Sequence, residues 1–506
     1  MSEKRHSETY DHILKYTGLL GGVQVFNVLM AVIRNKCAAF FIGPWGMGLA
    51  DTYSRTAELV GNTTNFGIAF SAVKHLSELA ERGNRRAIAM YVKLIRSWTL
   101  LTALLGFLVC LVFSPMISLQ LFGDFHTTKG IILLSPTIPA LTLLGGELAI
   151  LKGLRQLKVM AATTALSALV TMIFTVALYF FLGVHGILPV ILMTAVTTLT
   201  FNMIATTRLY PYRVGLRSQK LMRRGGHLIR LGSAFILAGI MGSGSEILVR
   251  IFIQRTASLH AVGLYAAGFT LIVSYARMVF VAMDADYFPR LSAAGEDTAR
   301  RNDTINRQID VLVMLMAPFL ILFSLFLPIL VRILYTEEFM LVVPMALCAA
   351  SYMFFKAVYA PISYIALARG DSMIYFIMET IYDIVFVCLV CAGYYFKGLV
   401  GAGLALSAAN LFDLLAISTV YSHRYGFRFQ PLTIKRTAAH FLLLAVSLAA
   451  CIQSFVWLRV AICATAAAIS LRISWKLMCE NTEIVSNVTT RLQKLCSRMR
   501  GERRDE

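Results

Sequence analysis

Apolar windows long enough to cross a lipid bilayer follow one another along almost the whole of this chain, and that pattern decides its solvent. Of its 506 residues, 58% are hydrophobic and 15% are charged, with a mean hydropathy of +0.70. A soluble domain carries about a quarter charged residues, so most of this surface faces lipid. A large soluble protein with buried helices is the competing reading, and the density of span-length windows excludes it. Fourteen spans can be drawn, at about 13–42, 46–74, 97–119, 131–151, 160–182, 187–207, 231–254, 261–288, 309–335, 341–367, 374–395, 399–421, 438–456 and 460–479. The connections are short, so no separate soluble domain is expected.

The basic residues orient these spans. With the N-terminus in the cytoplasm, inner segments carry 32 Lys or Arg and outer turns carry four: Lys129, Arg255, Lys397 and Arg459. Positive charge is retained on the cytoplasmic side. A missed or extra helix would invert every later loop, so the same division supports the count of fourteen. The polar stretch 1–12 holds no cleavable signal, and the first helix is expected to direct insertion. Both termini are then cytoplasmic. In a soluble protein the net charge of +20 would suggest nucleic acid. Here it is spread over inner loops, and no nucleic-acid partner is expected.

Residues 42–86 recur 215 positions later. Gly48-Leu49 returns as Gly263-Leu264, Leu76-Ser77 as Leu291-Ser292, Glu81 as Glu296 and Arg85-Arg86 as Arg300-Arg301, with no gap. One constant offset marks an internal duplication. Six helices separate the copies, so both halves enter the membrane in the same direction, and the substrate path is expected between them. The expected fold is an all-α polytopic membrane protein. It has an N-terminal six-helix lobe (1–220), a C-terminal six-helix lobe (221–425), a helix pair (426–480) and a basic cytoplasmic tail (481–506).

Ionisable residues inside spans are expensive and face a cavity or a partner helix. The second span holds Asp51, Arg55, Glu58, Asn62 and Asn65 at steps of four, three, four and three, all on one face. The first offers Gln24, Asn27 and Arg34; the seventh Ser243, Glu246 and Arg250; the eighth Thr270, Ser274, Arg277 and Asp284. The tenth carries Tyr352, Lys356, Tyr359 and Ser363. Asp51 with Arg55 and Glu246 with Arg250 are i,i+4 partners that can neutralise each other. Arg277 and Lys356 have no carboxylate on an adjacent turn, which favours a cavity-lining role. Arg34, Lys36 and Arg250 lie nearer the outer surface, within reach of headgroups. Glu379 with Asp383, and Asn410 with Asp413, lie nearer the cytoplasmic end, where a coupling ion or a solvated role both fit. Pro139 and Pro361 occupy near-equivalent places in the fourth and tenth spans, where a bend is expected. Of nine cysteines, Cys388 and Cys391 have CxxC spacing but lie mid-span without further ligands. No metal or cofactor is expected.

The run Ile42-Gly-Pro-Trp-Gly-Met-Gly-Leu-Ala50, its second copy Val262-Gly-Leu-Tyr-Ala266 with Phe288-Pro-Arg-Leu-Ser292, and Leu151-Lys-Gly-Leu-Arg-Gln156 together resemble bacterial polysaccharide flippases. The resemblance is to O-antigen and enterobacterial-common-antigen translocases of the multidrug/oligosaccharidyl-lipid/polysaccharide exporter superfamily, over about residues 10–425. It implies two six-helix lobes with helices one, two, seven and eight around a central cavity. It also implies transport of an undecaprenyl-pyrophosphate-linked oligosaccharide from the inner to the outer leaflet of the bacterial inner membrane. Membrane lipid and polysaccharide polymerase machinery would be its partners. Related lipid II flippases use arginines on helices one, two and eight, and Arg34, Arg55 and Arg277 fall on the matching helices. An extra C-terminal helix pair also occurs in that branch, where it helps form a lipid groove.

Candidate substrate-binding cations are thus Arg34, Arg55, Arg250, Arg277 and Lys356, with Glu58, Glu246 and Glu379 as coupling candidates. A lipid II flippase and a drug/cation antiporter of the same superfamily are the alternatives. The antiporter should favour acidic groups in its lobes. An enzyme is not expected: the longest outer connection, Leu121 to Gly130, offers one Lys and one His and no nucleophile–base arrangement.

Overall fold

The computed structural model describes residues 2–215, 219–274, 280, 287–288, 290–292, 294–453 and 455–481. Among them helices dominate and no strand occurs. The long helices are α1 (Ser2–Thr64), α2 (Ile68–Glu81), α3 (Arg85–Val112), α4 (Thr137–Gly153), α5 (Leu157–Leu182), α6 (Ile187–Leu209) and α7 (Gln219–Thr256). They continue with α8 (Leu259–Phe269), α9 (Thr298–Leu334), α10 (Ser351–Ala368), α11 (Ser372–Tyr425), α12 (Pro431–Ile452) and α13 (Val456–Asn481).

Helix α9 shows why these segments form and where they sit. Ile309, Leu312, Val313, Met316, Leu320 and Ile321 are buried, whereas Val311, Leu315, Phe319, Leu322, Phe326 and Ile329 are exposed. Both faces are apolar, one packed on protein and the other left to hydrocarbon, as a membrane span requires. Among the described residues nine helices are long and apolar enough to cross a membrane, or ten if a bent pair is one span.

The longest helices contain breaks where the sequence places turns between spans. Helix α1 breaks at Gly43, whose φ of 62° suits glycine, with Pro44 unable to donate into the preceding turn. Helix α11 breaks at Lys397–Gly398, and α5 and α6 are separated by a single 3₁₀ turn, Gly183–Gly186. The second span, expected to run to 74, instead stops at Thr64 and resumes at Ile68 through Phe66 and Gly67, both left-handed. The Asn62-Thr-Thr-Asn65 run explains this, because such side chains compete with the helix for backbone partners. Pro361 lies inside α10, yet the 42° bend of that region lies between Ala349 and Ser351. Pro139 sits in the first turn of α4, where a missing N–H costs little.

The chain divides into two compact units. The first comprises Met1–Met278, Pro328–Ala346 and Gly370–Ala409; the second comprises Val279–Leu327, Leu347–Arg369 and Asn410–Glu506.

Within the first unit the two copies of the duplicated motif meet. A Cβ on Gly48 would lie 2.0 Å from the Leu259 carbonyl oxygen, and one on Gly263 would lie 1.8 Å from that of Pro44. Gly48 and Gly263 are 215 apart, and so are Pro44 and Leu259. The contact is therefore reciprocal, as a two-fold axis demands of two copies of one surface. Only glycine permits this backbone approach. Nearby, Lys36 Nζ donates to the carbonyl of Arg332 at 2.7 Å and to that of Tyr335, capping the end of α9.

A buried ion pair ties α3, α4 and α6 together in the same unit. Arg96 is 1% and Glu147 3% exposed. The guanidinium holds both carboxylate oxygens, at 2.9 and 3.1 Å, the Thr206 hydroxyl, and the carbonyls of Tyr210 and Pro211. The Tyr212 ring covers it at 4.8 Å. Burial pushes the Tyr212 phenol up, and Glu147 adds to that.

Candidate functional site

Beyond Gly43, α1 presents Asp51, Arg55 and Asn62 toward α7, and Glu58 pairs with Arg55 on α1 itself. Arg250 Nε donates to Asp51, Arg55 Nη1 lies 2.9 Å from Glu246 Oε2, and Asn62 Nδ2 donates to Ser243 Oγ at 2.6 Å. Moving four residues forward on one helix moves the partner four back on the other, so the two run antiparallel in one register. Cross-links within each helix complete the ladder: Arg55 to Asp51 at 3.6 Å, Arg55 to Glu58 at 3.0 Å, and Arg250 to Glu246 at 3.5 Å.

Charge inside a bilayer requires such company. Arg250 is 1% exposed, sits over the rings of Tyr265 and Phe269, and reaches two carboxylates. Arg55 reaches three. Two guanidiniums thus face three carboxylates, and the ladder carries one excess negative charge.

The ladder borders a cavity of about 670 Å³ in the first unit. That volume is typical of a small-molecule site. Its polar wall includes Asn27, Arg34, Asn35, Asp51, Ser54 and Thr270. Thr270 opens a π-helical turn, Thr270–Ser274, a local widening that recurs at functional sites. The structure thus brings Arg34, Arg55, Glu58, Glu246 and Arg250 into one unit, with Arg34 in the cavity wall and the others in the ladder.

Of the remaining expected residues, Asp383 lies beside the ladder on α7, and Lys356 and Asn410 belong to the second unit. Lys356, in the second unit, places Nζ 5.9 Å from the Phe280 ring centre and 5.8 Å from that of Tyr352. Aromatic faces stabilise a cation in such a position. Glu379 sits on α11 one turn before Asp383, which accepts a hydrogen bond from Ser245 at 3.1 Å. In the second unit Asn410 accepts from the Tyr359 hydroxyl at 3.0 Å. Arg277 and Asp284 lie outside the described residues, and for Gln24 and Ser274 only the backbone is described.

Two features escape a reading of charge alone. Glu147 is a single carboxylate in an apolar span, and Arg96 counts as a loop cation until the fold buries it. The second is a row of hydroxyls on α5: Thr163, Ser167, Thr171 and Thr175, at steps of four and all buried. Their even spacing was the available signal.

Long apolar helices around a cavity with polar groups in its wall define the class, a polytopic membrane-protein fold. The profile of a family described as "Polysaccharide biosynthesis protein" matches residues 85–344, just over half the chain, and the chain belongs to that family. Comparison with the curated proteins gives no match. Among solved structures, the chain is similar to the lipid II flippase MurJ in an inward-closed conformation. The TM-score is 0.65 at 15% identity, over 92% of this chain and 99% of that one. It is also similar to an inward-facing multidrug resistance MATE family transporter of the MOP superfamily, with a TM-score of 0.64 at 13% identity over 79% and 95%. A MOP superfamily transporter from Pyrococcus furiosus matches with a TM-score of 0.52 at 14% identity over 80% and 93%. At these identities the likeness shows a common fold.

Proposed function

We propose that this chain is a flippase for an undecaprenyl-pyrophosphate-linked oligosaccharide, an O-antigen or related surface polysaccharide repeat. It would carry this lipid from the inner to the outer leaflet of the bacterial inner membrane by alternating access. In this reading fourteen spans place both termini in the cytoplasm, residues 1–220 and 221–425 form the two lobes, and polysaccharide polymerase machinery takes the product. The observation that carries the proposal is a cavity whose wall carries Arg34 among its polar residues, in a member of a polysaccharide biosynthesis family. Guanidinium suits a pyrophosphate, offering paired donors in a fixed plane. Glu58, Glu246 and Glu379 are proposed for coupling to an ion gradient or the membrane potential.

Arg34→Ala should reach the membrane at normal levels yet fail to restore surface polysaccharide in a flippase-null strain, and Arg34→Lys should restore part of it. Full restoration by Arg34→Ala would overturn the proposal. Lys356→Ala should behave as Arg34→Ala does. The ladder favours a second reading, because its excess carboxylate suits a cationic substrate. Export of a cationic dye by proteoliposomes, without any lipid-linked glycan movement, would establish an antiporter instead.

A further inference from the structure

The buried hydroxyls of α5 have their donor needs met within the helix. Ser167 donates to the Thr163 carbonyl, Thr171 to that of Ser167 and Thr175 to that of Thr171, each at 2.7 Å. On α6, Thr198 donates to the Thr194 carbonyl at 2.8 Å. A hydroxyl bonded back in this way keeps oxygen lone pairs for another partner. Small polar residues in membrane helices often serve only close helix packing. Ser167 and Thr171 do more than that, because they wall an open space. A second cavity of about 300 Å³ is lined by Thr164, Ser167, Thr171, Thr194 and Thr198, with Asn27 and Arg34 as donors. Met30, Ala31 and Ala168 supply its apolar surface. No carboxylate stands among its described lining residues, and its one charged group is the cation Arg34. Asn27, Ala31, Arg34, Thr194 and Thr198 also line the larger cavity. The two spaces therefore share a wall that contains Arg34.

We propose that this smaller cavity is a sugar subsite, which takes an uncharged, hydroxyl-bearing ring of the lipid-linked glycan while Arg34 holds the adjoining pyrophosphate. The proposal rests on the flippase reading above. A pyranose presents O–H donors and oxygen acceptors around apolar C–H faces. The wall matches that pattern with hydroxyl acceptors, amide and guanidinium donors, and Met and Ala contacts. A bare prenyl pyrophosphate would leave these acceptors unused.

The test measures binding to the purified full-length protein in detergent with two probes, farnesyl pyrophosphate and the same molecule bearing one N-acetylglucosamine. The wild-type protein should bind the glycosylated probe about tenfold more tightly, the worth of one or two net hydrogen bonds. Thr164→Val/Ser167→Ala/Thr171→Val, at residues that line only the smaller cavity, should bind both probes alike, with unchanged affinity for the bare one, which also reports that the variant is folded. Thr171→Ser should keep the preference. Should the triple variant fail to fold, Thr171→Val alone should lose a measurable part of the preference. Equal affinities in the wild type, or a preference that survives in the triple variant, would overturn the subsite. Failure of the bare probe to bind, while a hydroxyl-dependent sugar preference persists, would keep the subsite and overturn the pyrophosphate reading. Binding of neither probe would overturn both.

Discussion

Both halves of the duplication must hold the end of their sixth helix, and they do it with different chemistry. In the first half a buried Arg96 donates to the Tyr210 carbonyl at 3.0 Å and is neutralised by Glu147. In the second a buried Arg301 donates to the Tyr425 carbonyl at 2.6 Å, to the Thr298 hydroxyl at 3.2 Å and to the Gly295 carbonyl at 3.5 Å. Tyr210 and Tyr425 stand 215 apart, but Arg96 and Arg301 do not. The duplication has preserved the place where backbone needs a donor and has let the donor move along its helix. Because the first cation is hydrogen-bonded to a carboxylate and the second to dipoles, with Asp297 acting on it only through space, the two halves should respond differently to loss of one partner.

The largest effect is expected at Glu147. Glu147→Ala leaves Arg96 buried without its counter-charge, which costs about 3–5 kcal/mol. Thermal unfolding in detergent, or the amount of protein recovered from membranes, measures it. Arg96→Met/Glu147→Met removes both charges and should be milder than Glu147→Ala alone. If the double variant is the worse of the two, the pair is more than mutual neutralisation.

Next come the two glycines that meet at the duplicated motif. Gly48→Ala and Gly263→Ala each drive a methyl group into backbone, which the neighbour can relieve only by separating the helices. Each should lose about 1–3 kcal/mol. Because the contact is reciprocal, the losses should be equal, and the double variant should lose less than their sum. Unequal losses would mean that the two-fold relation is only approximate there. Arg301→Met follows, at about 1–3 kcal/mol, for the buried carbonyl left without a donor. A loss matching that of Glu147→Ala would erase the proposed difference between the halves.

Much of the helix pattern was legible because it depends on local order. Apolar length marks the spans, and Gly43-Pro44, Gly183 and Lys397-Gly398 mark breaks that the structure contains. The stripe on α1 was legible for the same reason, since four-and-three spacing needs no partner. What was not legible is register between helices. That Arg250 reaches Asp51, and Arg55 reaches Glu246, depends on how far α7 slides along α1, and no periodicity within either helix encodes that. The hydroxyl row of α5 was hidden for another reason: Ser and Thr weigh little in hydropathy, and only the cavity beside them reveals a use.

The smallest expected effect concerns one turn in each half. After α4 the chain passes Leu154 and turns at Arg155, with φ of 54°; after α10 it passes Arg369 and turns at Gly370, with φ of 72°. These turn positions are again 215 apart. Glycine ends helices in this way at no steric cost, whereas an L side chain loses about 1–2 kcal/mol in the left-handed region. Gly153, two residues earlier, cannot relieve the first turn, because a Cβ there would come within 2.8 Å of the Leu76 side chain. Arg155 is offset by an exposed pair with Glu81, and in the second half Arg369 faces Glu296 at 4.0 Å. Glu81 and Glu296 keep the common offset as well. Exposed pairs contribute about 0–1 kcal/mol and fade with salt. Arg155→Gly therefore exchanges relief of strain for a weak ion pair, and stability should change little in low salt and rise slightly in high salt. Gly370→Ala has no such offset. A Cβ there meets nothing within 4 Å, so its entire expected loss, about 1 kcal/mol, is conformational and independent of salt. Unfolding of both variants at two ionic strengths separates the two causes. A salt-dependent loss in Gly370→Ala, or a large loss in Arg155→Gly, would show that the first turn is held by its ion pair rather than strained against it.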